Sequence, residues 1–521
     1  MLPSADHYGS SNGTTDSHPA HFERLTEYGF YSSYGWCLSP ALSVRELWLR
    51  VQEELDRLEV LKIPWQRQEC EINLYLFACA IACTVDDHLA ARPLNLAALS
   101  GRIPSLGFFI EAAQSLLDQA TSLFKVFRDR AVRRWRRRWD CCLNQVCEIL
   151  VEGSEGQDAS HMSLRMTSRE LLSAKLPERV LNKRMRLPQG FRCQDLTHQD
   201  AISLARLFLE SSPVSTQALA IVGLRTAGAY FAPLIKAYLT RLGWRRVSWF
   251  SFRPKDGISP WESRQLRKIQ RRNVRVLLVD DHPDTGKTFQ LALGILRRRG
   301  VRPEQVTILV PRHPARPDWT LPAGTEHLDR ISVLTLEPSA FHKAHLLEPE
   351  PIESQLREYF AAYGWQNVRV FEERHVDEIN ARLWEHYRDG LHVRLKRVFA
   401  LKLSANNRQA VTKRIFVKSV GWGWLGYHGY IAGIRLAGFV PPVLGFRNGM
   451  LFTEWIDEAV PGLESGNGRM VKTVASYVAA RTRELRLGES PWLDKRTYRW
   501  SAWDQVLNIL RGAYGPYANR L

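Results

Sequence analysis

The sequence predicts an α/β protein in which a parallel sheet is flanked by a helical amino-terminal region and an α+β carboxyl-terminal region. Three observations lead to this fold class. Short apolar runs alternate with helical patterns from about residue 212, which is typical of strands covered by helices on both faces. Apolar residues before about residue 152 recur at helical spacing, and strand patterns return after about residue 367.

The length of 521 residues suits about three domains. We expect a loose tail over residues 1–25, a helical domain over 26–155, the parallel-sheet domain over 156–365 and the α+β region over 366–521. The longest apolar stretch, residues 74–85, is shorter than the roughly 20 residues of a membrane-spanning helix. It predicts a buried helix and no membrane partner. The amino terminus lacks an export signal, so we expect a cytoplasmic protein.

The formal charge of +18 favours anionic partners, without distinguishing RNA from a phosphorylated metabolite. Trp135 and Trp139 interrupt the densest basic run, which could therefore neutralise and stack on a nucleic acid. The alternative, which we favour, is a helix with solvated arginines and two tryptophans that face the core. The run consists of Arg128, Arg130, Arg133, Arg134, Arg136, Arg137 and Arg138.

Two groups in the helical region contain residues that can bind metals. Cys79 and Cys83 lie four residues apart, but the eight cysteines form no paired C-x-x-C units, which predicts reduced thiols. Asp86, Asp87 and His88 follow the most apolar helix. A helix end, or the N-cap of the next segment, explains them more simply than a metal does.

The parallel-sheet region divides into alternating predicted elements. Strands are expected at residues 218–222, 247–252, 274–279, 306–310 and 331–336, and helices at 230–242 and 289–299. Ligands of such sheets bind at the carboxyl ends of the strands. The turns after the first and third strands are therefore the places to look for chemistry.

The turn after the third strand contains Asp280 and Asp281, followed by a small-residue segment that opens a helix. Free amides at a helix start suit a phosphate, and Gly286 allows close approach of the main chain. Adjacent carboxylates repel each other and are best held by Mg²⁺ or a sugar diol, and we expect both to be exposed at the strand's end. A fortuitous strand and turn is the simplest alternative.

Two other nucleotide or phosphate motifs fit this segment less well. A Walker A loop needs a glycine five positions before Gly286, where Asp281 stands, so that motif is excluded. A response-regulator receiver needs a phosphorylated aspartate at the end of a later strand. Asp329 lies at roughly the right distance along the chain from the acid pair, but it precedes a predicted strand instead of ending one.

Residues 276–288 resemble the PRPP-binding motif of type I phosphoribosyltransferases, with four apolar residues, two acids, a variable trio and Thr-Gly-x-Thr. The resemblance covers about residues 190–311. Residues 221–228 are similar to that family's pyrophosphate loop, and the polar residues 251–273 to its flexible catalytic loop. The resemblance implies a phosphoribosyltransferase-like domain with its hood over residues 156–365.

The resemblance also implies roles for individual residues. Asp280 and Asp281 would hold the ribose hydroxyls, with Mg²⁺ close by as the cofactor. Asp284, Arg253 and Lys255 would act in catalysis, with Asp284 placed to contact a base. The 5-phosphate would be cradled by Asp284, Thr285, Gly286, Lys287 and Thr288, and the leaving diphosphate by Leu224, Arg225, Thr226, Ala227 and Gly228.

The expected function is transfer of ribose 5-phosphate from PRPP to a small nitrogenous, base-like acceptor, with release of pyrophosphate. The expected partners are PRPP and that acceptor, with a homodimer as a further expectation. The alternative is a non-catalytic PRPP or nucleotide sensor that regulates RNA or a partner protein.

Residues 414–418 and 450–456 resemble the lysine strand and hinge of kinase-like folds. A kinase pairs its strand lysine with a helix glutamate, but residues 419–453 contain no Asp or Glu, and the catalytic His-x-Asp-x-x-x-x-Asn motif is missing. The resemblance therefore implies a degenerate or truncated small lobe. We expect Gly421, Gly423 and Gly426 to belong to a packed, Trp-rich turn.

Overall fold

A computed structural model of the chain describes residues 27–91, 127–153, 158–174, 176–212, 214, 216–270, 274–322, 325, 328–389, 394–457 and 468–486. Met1–Glu458 form one compact unit and Ala459–Leu521 a second. The predicted tail lies outside the described residues. In the second unit, the structure describes one helix, Gly468–Glu484.

The amino-terminal region is helical, as predicted. Its long helices are α1 (Val44–Val60), α2 (Pro64–Ala90), α3 (Arg130–Glu152) and α4 (Asp158–Ser173). By length and composition α2 could cross a membrane, but 94% of its most apolar window is buried inside the protein. It is therefore the central core helix of this region, which confirms the prediction of a buried helix over residues 74–85.

The arginine-rich helix α3 faces the core with its tryptophans. Trp135 and Trp139 are buried and stack on each other with ring centroids 5.1 Å apart. Arg136 is also buried and pairs with Asp86 at 2.9 Å. The alternative of a core-facing tryptophan pair is thus confirmed. The exposed arginines of the run are Arg128, Arg130, Arg134, Arg137 and Arg138.

The middle of the chain forms a five-stranded, all-parallel sheet in the order β2-β1-β3-β4-β5. Its strands are β1 (Leu219–Leu224), β2 (Val247–Phe252), β3 (Arg275–Val279), β4 (Val306–Pro311) and β5 (Ser332–Leu336). The main difference from prediction is that β1 runs two residues further, to Leu224. Asp329 precedes β5, so it does not end a strand as a receiver's phosphorylation site would.

Helices cover both faces of this sheet. They are α7 (His198–Ser211) and α8 (Gly228–Arg241) on one face and α9 (Pro260–Gln270) and α10 (Lys287–Arg298) on the other. Two short helices, α5 (Glu178–Leu181) and α6 (Gln189–Cys193), precede them in the chain. The helix α9 corrects one prediction, because it occupies about half of the segment expected to be a flexible catalytic loop, residues 251–273. Trp261 and Leu266 of α9 are buried, and this apolar contact fixes the segment as a helix.

The carboxyl-terminal part of the first unit is a five-stranded antiparallel sheet in the order β6-β7-β8-β10-β9. The strands are β6 (Asn367–Phe371), β7 (Lys396–Ala405), β8 (Arg408–Ser419), β9 (Val443–Arg447) and β10 (Met450–Glu454). The associated helices are α11 (His342–His345), α12 (Pro349–Ala361), α13 (Arg374–Asp389) and α14 (Trp424–Arg435). Trp422 and Trp424 are buried, which confirms the packed, Trp-rich turn.

One apolar core extends through all three regions of the first unit. Helix α2 contacts the carboxyl-terminal region directly: the Asn73 side-chain oxygen accepts a hydrogen bond from the Trp424 amide at 2.8 Å. The Tyr427 hydroxyl donates to Glu69 at 2.7 Å. The helical region and the antiparallel sheet are thus parts of the same folded body as the parallel sheet.

Candidate functional site

The two predicted turns meet at the carboxyl edge of the parallel sheet. Strands β1 and β3 are neighbours, and the chain leaves them toward opposite sides of the sheet, so this is the topological switch point where such folds bind ligands. The Gly228 amide donates to the Asp280 carboxylate at 3.3 Å. The predicted pyrophosphate loop and the acid pair are therefore adjacent.

Two glycines make this close approach sterically feasible. A Cβ atom at Gly223 would overlap the Gly228 carbonyl, and one at Gly228 would overlap the Val279 carbonyl oxygen. Only hydrogen fits at both positions. Leu224 and Ala227 are buried beside them and Thr226 is half-buried, so the loop lies tightly against the ends of β1 and β3.

The acid pair is less accessible than the sequence suggested, because Asp280 and Asp281 are half-buried instead of exposed. Helix α6 covers them, and a Cβ at Gly190 would lie 3.3 Å from the Asp281 Cβ. Burial raises the pKa of Asp281 to about 7. Burial and the neighbouring Asp281 charge together raise the pKa of Asp280 well above its usual range. A cation or hydroxyl donors would relieve this repulsion.

The predicted phosphate turn is open to solvent. Asp284, Thr285 and Lys287 are exposed and Thr288 is half-buried, and α10 begins at Lys287. Gly286 has φ of 70°, and a Cβ there would lie 2.8 Å from Pro322. The main chain thus needs glycine at this position. The exposed residues of the turn lie close along the chain to the acid pair.

Asp284 lies 3.5 Å from Arg316 in an exposed ion pair. The segment after β4 therefore contributes a cation beside the residue predicted to contact the acceptor. Sequence reasoning did not identify Arg316, because it belongs to a loop outside the motif.

His282, in the variable trio, is a buried imidazole. Its ring stacks on Phe341 with centroids 5.4 Å apart and meets His313 edge-on at 5.3 Å. Burial and the neighbouring His313 lower its pKa well below the usual range, so the ring is neutral. Neither ring nitrogen has a hydrogen-bond partner among the described residues. His282 fixes the turn by packing.

The predicted cations differ in accessibility. Arg225 is buried and forms ion pairs with Glu262 and, at 3.4 Å, with Asp87. Arg253 donates to Asp87 at 3.0 Å. Lys255 is exposed. The structure thus brings the backbone of the Arg225 loop to the acid pair but directs the Arg225 side chain toward two carboxylates.

Asp87 and Glu262 are two further site residues whose role the sequence did not reveal. Asp87 lies in the last turn of α2, which confirms the helix-end interpretation of the acidic group, but its partners Arg186, Arg225 and Arg253 are about 100 or more residues away. Glu262 accepts hydrogen bonds from the Ser259 amide at 2.9 Å and hydroxyl at 2.7 Å. The Ser-x-x-Glu spacing indicates a capping box. It does not predict that Glu262 pairs with Arg225.

A divalent cation would have to be held at this edge by Asp280 and Asp281 together with ligand oxygens. Mg²⁺ prefers carboxylates combined with phosphate oxygens and water over an all-protein cage. Within the described ranges, no group of three or more His, Cys, Asp or Glu side chains is placed to hold a metal. The acid pair and the neighbouring open turn fit a metal that arrives with a phosphorylated ligand.

No protein-family model matches the chain, and no curated protein or solved structure matches it.

Proposed function

We propose that the protein binds PRPP with Mg²⁺ and transfers its ribose 5-phosphate group to a small nitrogenous acceptor. The observation that supports this most directly is the Gly228 to Asp280 hydrogen bond, which joins the diphosphate-type loop to the acid pair at the switch point. The open turn at Asp284 to Thr288 lies next along the chain. A single ligand with a diol between two phosphate groups would contact the diphosphate-type loop, the acid pair and the open turn.

In the proposed reaction, the bond from the anomeric carbon to diphosphate breaks and a bond to the acceptor nitrogen forms. Asp280 and Asp281 would orient the ribose diol, and bound Mg²⁺ would neutralise the charge that develops on the diphosphate. The exposed Asp284 would receive the proton that the acceptor nitrogen loses. The Thr226 and Ala227 backbone would contact the leaving group.

A non-catalytic PRPP sensor is the second candidate, and the pairing of Arg225 and Arg253 favours it. Both guanidinium groups contact carboxylates of the protein itself. A transferase needs such cations free to stabilise the departing diphosphate. Incubation of the protein with PRPP, Mg²⁺ and candidate bases separates the two: pyrophosphate release supports the enzyme, and binding without turnover supports the sensor.

We further infer that the antiparallel sheet is a small-lobe-like unit without kinase activity. Helix α14 connects β8 to β9, as the glutamate-bearing helix does in the kinase-like arrangement, but it contains no acid to pair with Lys418. The proposed function accordingly assigns no phosphotransfer to this region.

The double substitution Asp280→Asn with Asp281→Asn tests the proposed site. In the wild type, PRPP with Mg²⁺ at 100-fold excess over Kd should stabilise the protein by about 2.7 kcal/mol. The double variant should lose this stabilisation, because amides cannot hold Mg²⁺ beside the ribose. Thermal unfolding with and without PRPP provides the measurement.

A matched control is Glu304→Gln with Asp329→Asn, which removes two exposed carboxylates at the amino-terminal edge of the same sheet. This control should keep the full response to PRPP. Undiminished PRPP stabilisation in the Asp280→Asn, Asp281→Asn protein would rule out the proposed site.

A further inference from the structure

A cavity of about 240 Å³ lies between the end of α2 and the segments that follow β1 and β2. Three guanidinium groups and three carboxylates line it, which makes its formal charge neutral. These side chains are Arg186, Arg225, Arg253, Asp87, Asp256 and Glu262. The cavity adjoins the loop that is proposed to receive diphosphate, because Arg225 belongs to both.

Asp87 is the common partner of the three arginines. Its Oδ1 lies 3.4 Å from Arg225 Nε, and its Oδ2 lies 3.0 Å from Arg253 Nη2 and 3.9 Å from Arg186 Nε. The side chain is one-quarter exposed, so solvent and ligands can reach it. A single carboxylate from the helical region therefore occupies the point where three cations converge.

The Arg225 guanidinium has unused capacity for an anion. Its side chain is 1% exposed, and its Nη1 has no hydrogen-bond partner in the described part of the chain. An unpaired buried donor costs about 1–3 kcal/mol. A larger anion with more oxygens than one carboxylate could supply the missing acceptor.

Glu262 allows Asp87 to be displaced without releasing Arg225. Glu262 pairs with the same guanidinium and is itself fixed by the Ser259 amide and hydroxyl. Loss of the Asp87 contact would therefore leave Arg225 in place with one fixed carboxylate. Arg253, which would still contact the exposed Asp256, and the exposed Arg186 would then be available to the incoming anion.

We infer that Asp87 is a built-in competitor for the diphosphate group of the ligand, and that the helical region thereby regulates access of that group to Arg225 and Arg253. This inference rests on the proposed function, since it concerns the same loop. Diphosphate has more negative charge and more acceptor oxygens than the carboxylate that it would replace. Asp87 lowers the affinity of these arginines for diphosphate, because the ligand must displace the Asp87 carboxylate in order to bind them.

The test is the binding of inorganic pyrophosphate to the full chain in the presence of Mg²⁺, measured by isothermal titration calorimetry. Asp87→Asn should bind pyrophosphate about tenfold more tightly than the wild type, because one competing charge is removed. Asp256→Asn is the matched control: it removes a charge from the same cavity, but among the described residues the Asp256 carboxylate forms an ion pair with Arg253 alone, at 3.4 Å, and it is 63% exposed. Its effect should be less than about threefold.

Thermal unfolding provides a second readout that is independent of any loss of stability in Asp87→Asn. Pyrophosphate should raise the Tm of this variant more than that of the wild type, since it takes the place of the missing carboxylate. Equal or weaker pyrophosphate binding by Asp87→Asn would overturn the inference, and so would an equal gain in Asp256→Asn.

PRPP binding separates this inference from the proposed function. Wild-type binding of PRPP that depends on Asp280 and Asp281, with no gain for pyrophosphate in Asp87→Asn, refutes only the role of Asp87. Tighter pyrophosphate binding in Asp87→Asn without any PRPP binding supports the competitor role and refutes the PRPP assignment. If neither the wild type nor Asp87→Asn binds PRPP or pyrophosphate, both the competitor role of Asp87 and the proposed function are refuted.

Discussion

Replacement of Gly228 by alanine is expected to destabilise the protein by about 3 kcal/mol and to abolish PRPP binding. The new Cβ would overlap the Val279 carbonyl oxygen, which is rigid backbone in a central strand. The turn between β1 and α8 must then move away from β3. That movement breaks the Gly228 to Asp280 hydrogen bond and separates the two halves of the proposed site.

The free energy of unfolding from urea titration and the Tm shift with PRPP and Mg²⁺ check this prediction. Gly294→Ala is the matched control, because its Cβ would meet only the end of the Arg298 side chain at 3.9 Å, in the middle of α10. It should stabilise the protein by about 0.5–1 kcal/mol and leave PRPP binding unchanged. A Gly228→Ala protein that binds PRPP like the wild type would contradict the close approach of the two turns.

Replacement of Lys343 by methionine should cost about 3–5 kcal/mol of unfolding free energy. Lys343 is fully buried at the junction of the two sheets and donates to Ser419 at 2.9 Å and to the Gly421 carbonyl at 3.3 Å. Ser419 in turn donates to the buried Asp195, which also accepts from the Leu395 amide. Methionine would leave the Asp195 carboxylate without its counter-charge.

A double-mutant cycle with Asp195→Asn checks this pairing. Burial lowers the pKa of Lys343 to about 8 even though Asp195 opposes the shift, so the charge pair itself is costly to bury. Lys343→Met with Asp195→Asn should therefore cost much less than the sum of the single variants. Additive costs would show that the two charges do not interact. Urea unfolding followed by tryptophan fluorescence provides the values.

Local sequence was sufficient for the parallel sheet and its turns. The apolar run at residues 276–279 predicted a strand, and β3 is buried over those residues. Gly286 was expected to let the main chain approach a ligand, which stays a prediction; in the structure a side chain there would meet Pro322. The strand prediction succeeded because a short apolar run acts through neighbouring residues.

The surroundings of the acid pair could not be predicted in the same way. The sequence suggested exposed carboxylates, whereas α6 covers Asp281 at Gly190, some 90 positions earlier in the chain. About half of the segment expected to be a flexible loop became α9, in which Leu266 packs against the sheet and Trp261 joins the core shared with the helical region. Burial of this kind depends on which elements pack together.

The sequence by itself determined the α/β class, the strand–turn–helix at Asp280 and Asp281, and the buried character of α2. Only the tertiary structure decided that Arg225 pairs with Asp87 and Glu262, and that the buried Lys343 donates to Ser419 and Gly421. The physical reason is that periodicity and turn chemistry are local. The pairing of buried charges is selected by the desolvation that packing imposes between distant segments.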